Sequence, residues 1–376
     1  MSDITTASRT KLHELLDLLS EVDERRYGPE WGIESQGDVA DGHRNLMHLL
    51  EGGLFSHFDA DPERPVFRRI VSPTRKFRGD NGDAIYFDAA IRADREYVVK
   101  GNVAGAVYVS ITIEEGPGEG AYATGTAAGL RDGEFDVDAD GNFEIILSST
   151  PRDRNWLELT PAASRITTRH YFEEETCVAA DPSRHVPLSI RPVVDPGRPP
   201  AWSPDGQDER VAAGIQRVIN FVRGDTLDQP PRKPGEQPSW VSTTPNVFNA
   251  PEKPGDLAFS AMDIAYAMAP YVIAPDQALV MTGRFPSCRF ANVCLWNRYI
   301  QSFDYNNRQI SLNRKQTRLE PDGSFRMVIA HEDPGVPNWL DTEGRPFGMV
   351  YWRFLLPEGR VETPKTEVVP IASLRA

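Results

Sequence analysis

The chain has 376 residues, with 41 Lys and Arg against 55 Asp and Glu, and a formal net charge of −14 at pH 7. Such an acidic surface is unsuited to the phosphate backbone of nucleic acids, so we expect no nucleic-acid partner. No apolar run approaches the length of about 18 residues that a membrane-spanning helix needs, so we expect no membrane span. The 31 Pro and 29 Gly favour short strands joined by turns over a helical fold.

The N-terminus and the cysteines indicate a compartment. The first residues, Met1 to Ile4, lack the basic and apolar regions of a signal peptide. Cys177, Cys288 and Cys294 are odd in number and irregularly spaced, which is unlike a disulfide framework. Together these features predict reduced thiols and a cytoplasmic protein.

Helical periodicity of apolar residues predicts three helices, over residues 8–22, 40–52 and 209–223. The first two form a predicted helical N-terminal segment over residues 1–60. We expect these helices to cap the edge of a sheet or to mediate self-association, which leaves a homo-oligomer open as a possibility.

The sequence lacks the familiar signatures of nucleophiles, metals and nucleotides, among them Gly-x-Ser-x-Gly, the Walker loop, His-Glu-x-x-His and Cys-x-x-Cys. His43 and His48 are five residues apart, so they are not expected to bind one metal from a single helix face. The alternating glycines from Gly116 to Gly120 have no strand–loop–helix unit around them. We therefore expect no metal and no cofactor.

Apolar and polar residues alternate in short runs through the first half of the chain, which predicts strands with one buried face. The predicted strands are Ala84–Ile91, Tyr97–Gly101, Ala106–Ile113, Gly125–Leu130, Phe143–Leu147 and Arg165–Phe172. They place a first β-sandwich domain at residues 61–180. A Pro-rich linker with one helix follows at 181–256, and a second β-sandwich domain at 257–376. The Pro-rich loop over 226–256 is expected to act as a lid or to lie over a neighbour.

One pattern occurs twice. Asp-Gly-x-Phe begins at Asp140 and again at Asp322, and each copy is followed by Asn-Trp-Leu. The same number of residues separates Gly101 from Asp140 and Gly283 from Asp322. The pattern predicts a mainly β protein made of two homologous, jelly-roll-like β-sandwich domains with a few helices. The alternative interpretation is two unrelated β-meanders that share common turn chemistry.

These motifs resemble those of bacterial proteins with the paired domains of unknown function numbered 1254 and 1214. Asp83 and Tyr86 match the Asn-x-Asp-x-x-Tyr signature of the first domain. Asp322 and the Asn-Trp-Leu that begins at Asn338 match the C-terminal signature of the second domain.

The resemblance covers most of residues 70–175 and 255–360. It implies an all-β fold with sandwich or jelly-roll layers and no settled reaction. This chain departs from the family pattern because Asp-Gly and Asn-Trp-Leu occur in both halves. It therefore looks like two diverged copies of the second domain, and no function is transferred from the two-domain members.

Three groups of residues are candidates for a functional site. In the first, strand alternation is expected to point Asn292, Trp296 and Arg298 to one face, with Tyr305 nearby. Aromatic rings of this kind bury a ligand, and a few polar groups orient it. The alternative interpretation is a packed structural cluster.

The second group is a predicted catalytic set of His331, Asp333 and Arg353. A His beside an acid is suited to general acid–base catalysis, and Arg353 is suited to bidentate binding of a carboxylate, sulfate or phosphate. The expected substrate-binding neighbours are Asn338, Trp339 and Tyr351. The alternative is structural, because Arg353 and Arg169 occupy equivalent repeat positions.

The third group, in the first domain, comprises Asp83, Tyr86, Arg169 and Tyr171, together with Arg78 and Asp80. A buried Asp–Tyr pair is suited to proton transfer. In the alternative interpretation the Asp caps a turn and the Tyr anchors its strand.

The leading functional hypothesis is a small-molecule enzyme, a hydrolase or lyase acting on an apolar, lipid- or isoprenoid-like substrate with one polar group. The aromatic patch and the long Pro-rich loops motivate it. The alternative is a non-catalytic β-sandwich protein that binds carbohydrate or another small ligand. A third hypothesis is a scaffold whose helices drive oligomerisation.

Overall fold

A computed structural model describes residues 5–229, 235–254 and 263–375. Its α-helices are α1 (Ala7–Arg26), α2 (Gln36–Gly53) and α3 (Pro204–Asp225). Each contains one predicted helix and begins at a hydroxyl cap, where Thr6, Ser35 or Ser203 accepts a hydrogen bond from a backbone N–H three residues later. Among the described helices, none is long and apolar enough to cross a membrane.

The three helices pack on one another. Val22 of α1, Leu46 of α2 and Val218 of α3 are buried in a common apolar cluster. The three helices therefore form one layer, although α1 and α2 precede the strands of the first half and α3 follows them. Single turns of helix lie at Pro29–Trp31, Leu54–Phe58, Val178–Ala180 and Ile371–Arg375.

The remaining elements are strands. Those of the first half are β1 (Arg68–Arg69), β2 (Ala84–Ala90), β3 (Tyr97–Asn102), β4 (Tyr108–Glu115), β5 (Gly125–Arg131), β6 (Asn142–Ser148), β7 (Trp156–Glu158), β8 (Ala163–Tyr171) and β9 (Leu188–Pro192). Those of the second half are β10 (Ile264–Val272), β11 (Gln277–Gly283), β12 (Phe290–Trp296), β13 (Ser311–Asn313), β14 (Phe325–Ala330), β15 (Trp339–Asp341), β16 (Phe347–Leu355) and β17 (Lys365–Pro370). The prediction of a mainly β protein built from β-sandwiches is confirmed.

Each half contains two sheets. In the first half their strand orders are β1-β2-β8-β4-β5 and β7-β6-β3-β9. In the second half they are β10-β16-β12-β13 and β15-β14-β11-β17. Ile111 and Phe143 belong to the apolar core between the first pair of sheets. Between the second pair, the rings of Phe325 and Trp352 stack 5.2 Å apart.

The two halves share one topology. Apart from the edge strand β1, each strand of the first half corresponds to the strand eight places later in the second half. Gly101 lies opposite Phe143 in the β3–β6 register, and Gly283 lies opposite Phe325 in the β11–β14 register. The two glycines expected to correspond therefore occupy equivalent strands and equivalent pairings.

The Asn-Trp-Leu motifs also adopt one geometry. Asn155 and Asn338 have left-handed φ angles of 52° and 59°. The indole N–H groups of Trp156 and Trp339 donate to a carbonyl at the end of the preceding strand, at 3.0 and 3.1 Å. The motif starts a short strand, β7 or β15, that pairs in parallel with its neighbour. The sequence indicated a turn here but not these strands, since three residues are too few to show alternation.

The segment predicted as a linker, 181–256, contains structured elements. Its strand β9 pairs with β3 as a sheet edge. Further along, the backbone N–H of Ser242 donates to Met268 O at 2.8 Å, and Met268 N donates to Trp240 O at 3.0 Å. This part of the predicted loop therefore runs beside β10.

Parts of the predicted Pro-rich loop and of the predicted second domain lie outside the described residues. They are residues 230–234 and 255–256 of the Pro-rich loop and residues 257–262 at the start of the predicted second domain.

The two sandwiches meet through the outer face of the β2-β8-β4 sheet and the outer face of the β10-β16-β12 sheet. The rings of Tyr171 and Phe290 lie 5.4 Å apart across this junction. Ala84 and Tyr108 of the first half share an apolar cluster with side chains of the second half. This junction positions the candidate site.

Candidate ligand-binding cavity

A cavity of about 610 Å³ lies between the two facing sheets. Its volume is within the range of roughly 300–1,000 Å³ that is typical of small-molecule sites. Both halves line it, together with the helical layer and the chain around Trp240. The site therefore exists only where the two halves come together.

The sheet of the first half contributes to the wall Tyr86 on β2 and three residues of β8, Thr167, Arg169 and Tyr171. The β8 residues are two apart, so they point to the same face of the sheet. The rings of Tyr86 and Tyr171 meet edge to face at 6.1 Å. Burial raises the pKa of Tyr86 well above its usual value, which keeps this phenol protonated.

The wall from the second half is aromatic. Trp296 on β12 stacks on Tyr351 on β16, with ring centres 4.1 Å apart. Tyr266 on β10 lies 5.3 Å from Tyr351, and Trp240 lies 5.4 Å from Tyr266. These rings form a continuous apolar surface with polar edges, the arrangement that buries an organic ligand.

The helical layer contributes a cation. The Arg26 guanidinium at the end of α1 lies 3.5 Å from the centre of the Trp31 ring. Burial lowers the pKa of Arg26 to about 10, so the group remains charged near neutral pH.

Arg169 is neutralised inside its own sheet. Its Nη1 donates to Thr112 Oγ1 at 2.9 Å, and its Nη2 lies 3.5 Å from Glu114 Oε1. Glu114 also accepts hydrogen bonds from the hydroxyls of Thr112 and Thr126, at 2.9 and 3.1 Å. The buried carboxylate and guanidinium therefore form a satisfied pair.

Arg353 has a different environment. Its Nη2 donates to the backbone carbonyls of Gly79 and Asp80, at 2.6 and 3.3 Å. The guanidinium carbon lies 4.5 Å from the centre of the Tyr351 ring and 5.0 Å from that of Trp296. Within the part of the chain that the structure describes, Nη1 has no hydrogen-bond partner, and no ion pair within 4.0 Å involves Arg353. The side chain is only 3% exposed.

Asp80 fixes the loop that holds Arg353. Its carboxylate accepts from Ser302 N at 2.7 Å and from the Ser302 hydroxyl. Burial raises the pKa of Asp80, and the nearby Lys76 ammonium opposes that rise. The Asp80 carbonyl also accepts from Trp296 Nε1 at 3.1 Å. One loop residue therefore positions both the indole and the guanidinium of the aromatic wall.

Several residues singled out from the sequence line the cavity. They include Tyr86, Arg169, Trp296, Arg298, Tyr351 and Arg353. The structure thus brings together members of three groups that the sequence had placed in separate sites. Arg298 sits where the helices meet the second half, with its Nε 3.0 Å from Asp38 Oδ1.

Sequence reasoning missed Arg26, Thr167 and Trp240. Arg26 and Trp240 lie outside the repeated motifs, and Thr167 is not conspicuous in its strand. A usable signal did exist for Tyr266, since the spacing Asp83-x-x-Tyr86 recurs at Asp263-x-x-Tyr266.

Asp83 and Asn292 do not line the cavity. Asn292 Nδ2 donates to Asp83 Oδ2 at 2.8 Å and to Asn81 Oδ1 at 2.7 Å, and Asn313 Nδ2 donates to Asp83 Oδ1 at 3.2 Å. Burial raises the pKa of Asp83 to about 6, although the two amide donors oppose the shift. This buried cluster joins the loop before β2 to β12 and β13, so it connects the halves.

Three other predicted binding residues also lie elsewhere. Tyr305 is buried, with the Lys76 ammonium 4.7 Å from its ring centre. Asn338 donates to the carbonyls of Arg318 and Arg326, at 2.7 and 2.9 Å, and Trp339 belongs to the same turn. Their contacts are those of structural residues.

The structure does not bring His331 and Asp333 to Arg353. His331 follows β14 in the outer sheet of the second half, where Nδ1 lies 2.6 Å from Thr342 Oγ1. Asp333 accepts from Gly335 N at 2.8 Å in the exposed turn that follows. Arg353 lies on β16 in the inner sheet. The predicted catalytic group is therefore divided between two sheets.

A second, shallower depression lies on the outer sheet of the first half. It has a volume of about 710 Å³ and is lined by parts of β3, β6 and β9 and by His185. It is more open than the inter-sheet cavity.

Comparison with known proteins supports the resemblance to the second of the paired domains, the one numbered 1214. Residues 282–359 match the family described as "Protein of unknown function (DUF1214)". The 1214-type resemblance is confirmed over this stretch, and the 1254-type signature at Asp83 and Tyr86 stays a prediction.

Two solved structures resemble the whole chain. An uncharacterized protein from Burkholderia cenocepacia is 26% identical, with a TM-score of 0.79 over 96% of this chain and 97% of its own. The VPA0106 protein from Vibrio parahaemolyticus is 12% identical, with a TM-score of 0.50 over 88% of this chain and 98% of its own. The second likeness concerns the fold alone. No curated protein matches the sequence.

Proposed function

We propose that the protein binds a small organic molecule, with an apolar body and one polar group, in the cavity between its two halves. The observation that carries this proposal is the aromatic cavity of about 610 Å³. Its tyrosine and tryptophan rings offer flat apolar surface, and its arginines offer a few directional donors. Its position between two sheets fits a buried small molecule better than an extended carbohydrate chain on an open surface.

Binding, rather than a particular reaction, has the better support. Among the described lining residues there is no His, Cys or Ser. The lining carboxylates are already engaged, Asp80 by Ser302 and Asp225 by Arg78 with an Nε–Oδ1 distance of 3.1 Å. A hydrolase or lyase activity on such a ligand stays a prediction from the sequence.

We also infer that the two halves arose by duplication of one sandwich. The shared strand order and the equivalent glycine positions support this origin. On this view the cavity formed at the junction of two copies, and Arg169 and Arg353 are the equivalent arginines that the two copies contributed to it.

Calorimetric titration with 2-naphthol tests the proposal, because this uncharged probe has one polar group and fits the cavity. We expect saturable binding with quenching of tryptophan fluorescence, since Trp240 and Trp296 line the site. Thr167→Tyr should weaken binding by at least about tenfold, because the larger ring occupies cavity volume. Its equivalent in the second half is already Tyr351, two residues before Arg353 as Thr167 is before Arg169.

A matched variant keeps the test specific. Thr150→Tyr adds the same ring at an exposed turn and should leave binding unchanged. Binding that Thr167→Tyr does not alter, in a protein with an unchanged melting temperature, would contradict a ligand in this cavity.

A further inference from the structure

We propose that the polar group of the ligand is a carboxylate and that Arg353 binds it. This inference rests on the proposed function, because it specifies the ligand of the same cavity. It follows from comparing Arg353 with Arg169, its equivalent in the first half.

The two arginines occupy the same place in their sheets. Arg169 pairs with Tyr86 on β2 and with Ser110 on β4. Arg353 pairs with Tyr266 on β10 and with Asn292 on β12. The surroundings of one arginine can therefore be compared with those of the other, position by position.

The decisive difference is at the carboxylate position. Glu114 lies four residues after Ser110 on β4 and supplies the negative charge beside Arg169. The equivalent residue, four after Asn292 on β12, is Trp296. The second half thus keeps the arginine and replaces its carboxylate partner with an aromatic ring.

A buried guanidinium without a carboxylate in direct contact is unfavourable. The buried carboxylates of Asp80 and Asp83 interact with the Arg353 charge at longer range, but they are engaged by Ser302 and by Asn292 and Asn313. Arginine stays protonated in proteins, and cation–π contact with Trp296 and Tyr351 recovers only part of the lost hydration. An anionic ligand would supply the charge that Glu114 supplies in the first half. The aromatic ring in the place of the carboxylate would then contact the body of the ligand.

Most of the unsatisfied groups at the cavity wall favour the same ligand. Within the described residues, the lining side-chain atoms that are buried without a hydrogen-bond partner are Arg26 Nε, Trp240 Nε1, Arg298 Nε, Arg353 Nη1, Thr167 Oγ1 and Asp225 Oδ1. Arg298 Nε and Asp225 Oδ1 each lie within ion-pair distance of an opposite charge, on Asp38 and Arg78. Of the other four atoms, three are N–H groups that donate and do not accept, and the Thr167 hydroxyl can donate as well. A ligand rich in acceptors satisfies all four, whereas an amine or ammonium satisfies at most the hydroxyl.

A carboxylate fits this donor set. The Nη2 group of Arg353 is occupied by the carbonyls of Gly79 and Asp80, so Nη1 remains for the ligand and would donate a charge-assisted hydrogen bond to one carboxylate oxygen. The second oxygen would be left to accept from another N–H group of the wall. A flat aromatic body would extend along Trp296 and Tyr351.

The test compares 2-naphthoate with 2-naphthamide, its uncharged isostere, by calorimetry on the full chain. We expect the unmodified protein to bind the carboxylate on the order of tenfold to a hundredfold more tightly. Arg353→Gln should bind both probes equally. Arg353→Lys should keep part of the preference, because it keeps the charge and loses the planar fork. Arg284→Gln removes an arginine from an exposed pair with Asp322 and should leave the preference unchanged.

A further variant tests the comparison between the halves directly. Trp296→Glu rebuilds beside Arg353 the carboxylate that Arg169 has, and it should abolish the preference for 2-naphthoate.

The outcomes separate the inference from the proposed function. If 2-naphthoate and 2-naphthamide bind the unmodified protein with affinities within about twofold of each other, the carboxylate inference is wrong and the proposed function is retained. If none of 2-naphthoate, 2-naphthamide and 2-naphthol binds, both the carboxylate inference and the proposed function are wrong. Because this comparison needs no variant, it decides the question even where Arg353→Gln or Trp296→Glu fails to fold.

Discussion

Arg169 and Arg353 hold the same register position in two sheets whose strand orders correspond apart from the edge strand β1, but their neighbours differ. Arg169 has the carboxylate of Glu114 3.5 Å away, whereas the Arg353 guanidinium lies 5.0 Å from the centre of the Trp296 ring. A single chain therefore contains one form of this arrangement with a carboxylate beside the arginine and one form with an aromatic ring in its place. The first form is suited to holding a sheet together, and the second to receiving an anion.

Glu114→Gln should destabilise the first half. The side chain of Glu114 is fully buried, and the amide leaves the Arg169 guanidinium without its carboxylate. We expect the free energy of unfolding to fall by about 3 kcal/mol, as when one partner of a buried ion pair is removed. Urea unfolding measures the change. Glu134→Gln, in an exposed pair with Arg131, should cost less than about 1 kcal/mol. Equal effects of the two variants would contradict a special role for Glu114.

Asp83 should make stability depend on pH. Its pKa is raised to about 6 in the folded protein, compared with about 3.9 in an unfolded chain. Between these values the folded state binds the extra proton, so stability falls as pH rises. The contribution of Asp83 should decrease by about 3 kcal/mol between about pH 4 and pH 6 and then level off.

Urea unfolding of the unmodified protein and of Asp83→Asn across that pH range isolates the contribution of Asp83 to stability. The stability difference between the two proteins should change with pH in this window. Asp153→Asn, which removes an exposed carboxylate, is the control. A pH-independent difference for Asp83→Asn would show that burial does not raise the pKa of Asp83.

Gly101→Ala and Gly283→Ala should both destabilise the protein. A Cβ added at Gly101 would lie 2.4 Å from Phe143 Cζ, and one at Gly283 would lie 2.8 Å from Phe325 Cζ. Overpacking of this kind costs about 1–3 kcal/mol, with the larger loss expected at Gly101. Adding Phe143→Leu to Gly101→Ala should recover part of the loss, because the two sites are coupled. Strictly additive losses in thermal unfolding would contradict the contact.

Asn338 should prove structural rather than ligand-binding. Asn338→Ala removes hydrogen bonds to two carbonyls and puts alanine at a φ of 59°, so we expect a loss of about 2–4 kcal/mol. Asn338→Gly keeps the backbone conformation accessible and should lose less. Urea unfolding and 2-naphthoate titration together check this. A large fall in affinity without a fall in stability would restore Asn338 as a ligand contact.

The sequence predicted the fold well because its local signals were strong. Alternation located β2, β3, β6 and β8 within a few residues, and Asp-Gly and Asn-Trp-Leu marked corresponding turns in the two halves. Periodicity located each helix for the same reason. It gave no information on the packing of α3 against α1 and α2, because that contact joins residues about 200 positions apart.

The site was harder to predict because it is formed between elements distant in the sequence. Reading within each half selected Tyr86, Arg169, Trp296 and Arg353, which line one cavity in the structure, but assigned them to different sites. His331 was selected for its chemistry alone, and no local pattern showed that it lies in the outer sheet. The exchange of Glu114 for Trp296 is visible only once the strand registers align the two halves.

A crystal structure of the protein with 2-naphthoate tests the central claim most directly. We predict that the carboxylate lies within about 3 Å of Arg353 Nη1, with the naphthalene ring along Trp296 and Tyr351. Ligand density in the open depression beside His185, or a naphthoate in the cavity whose carboxylate points away from Arg353, would contradict the account.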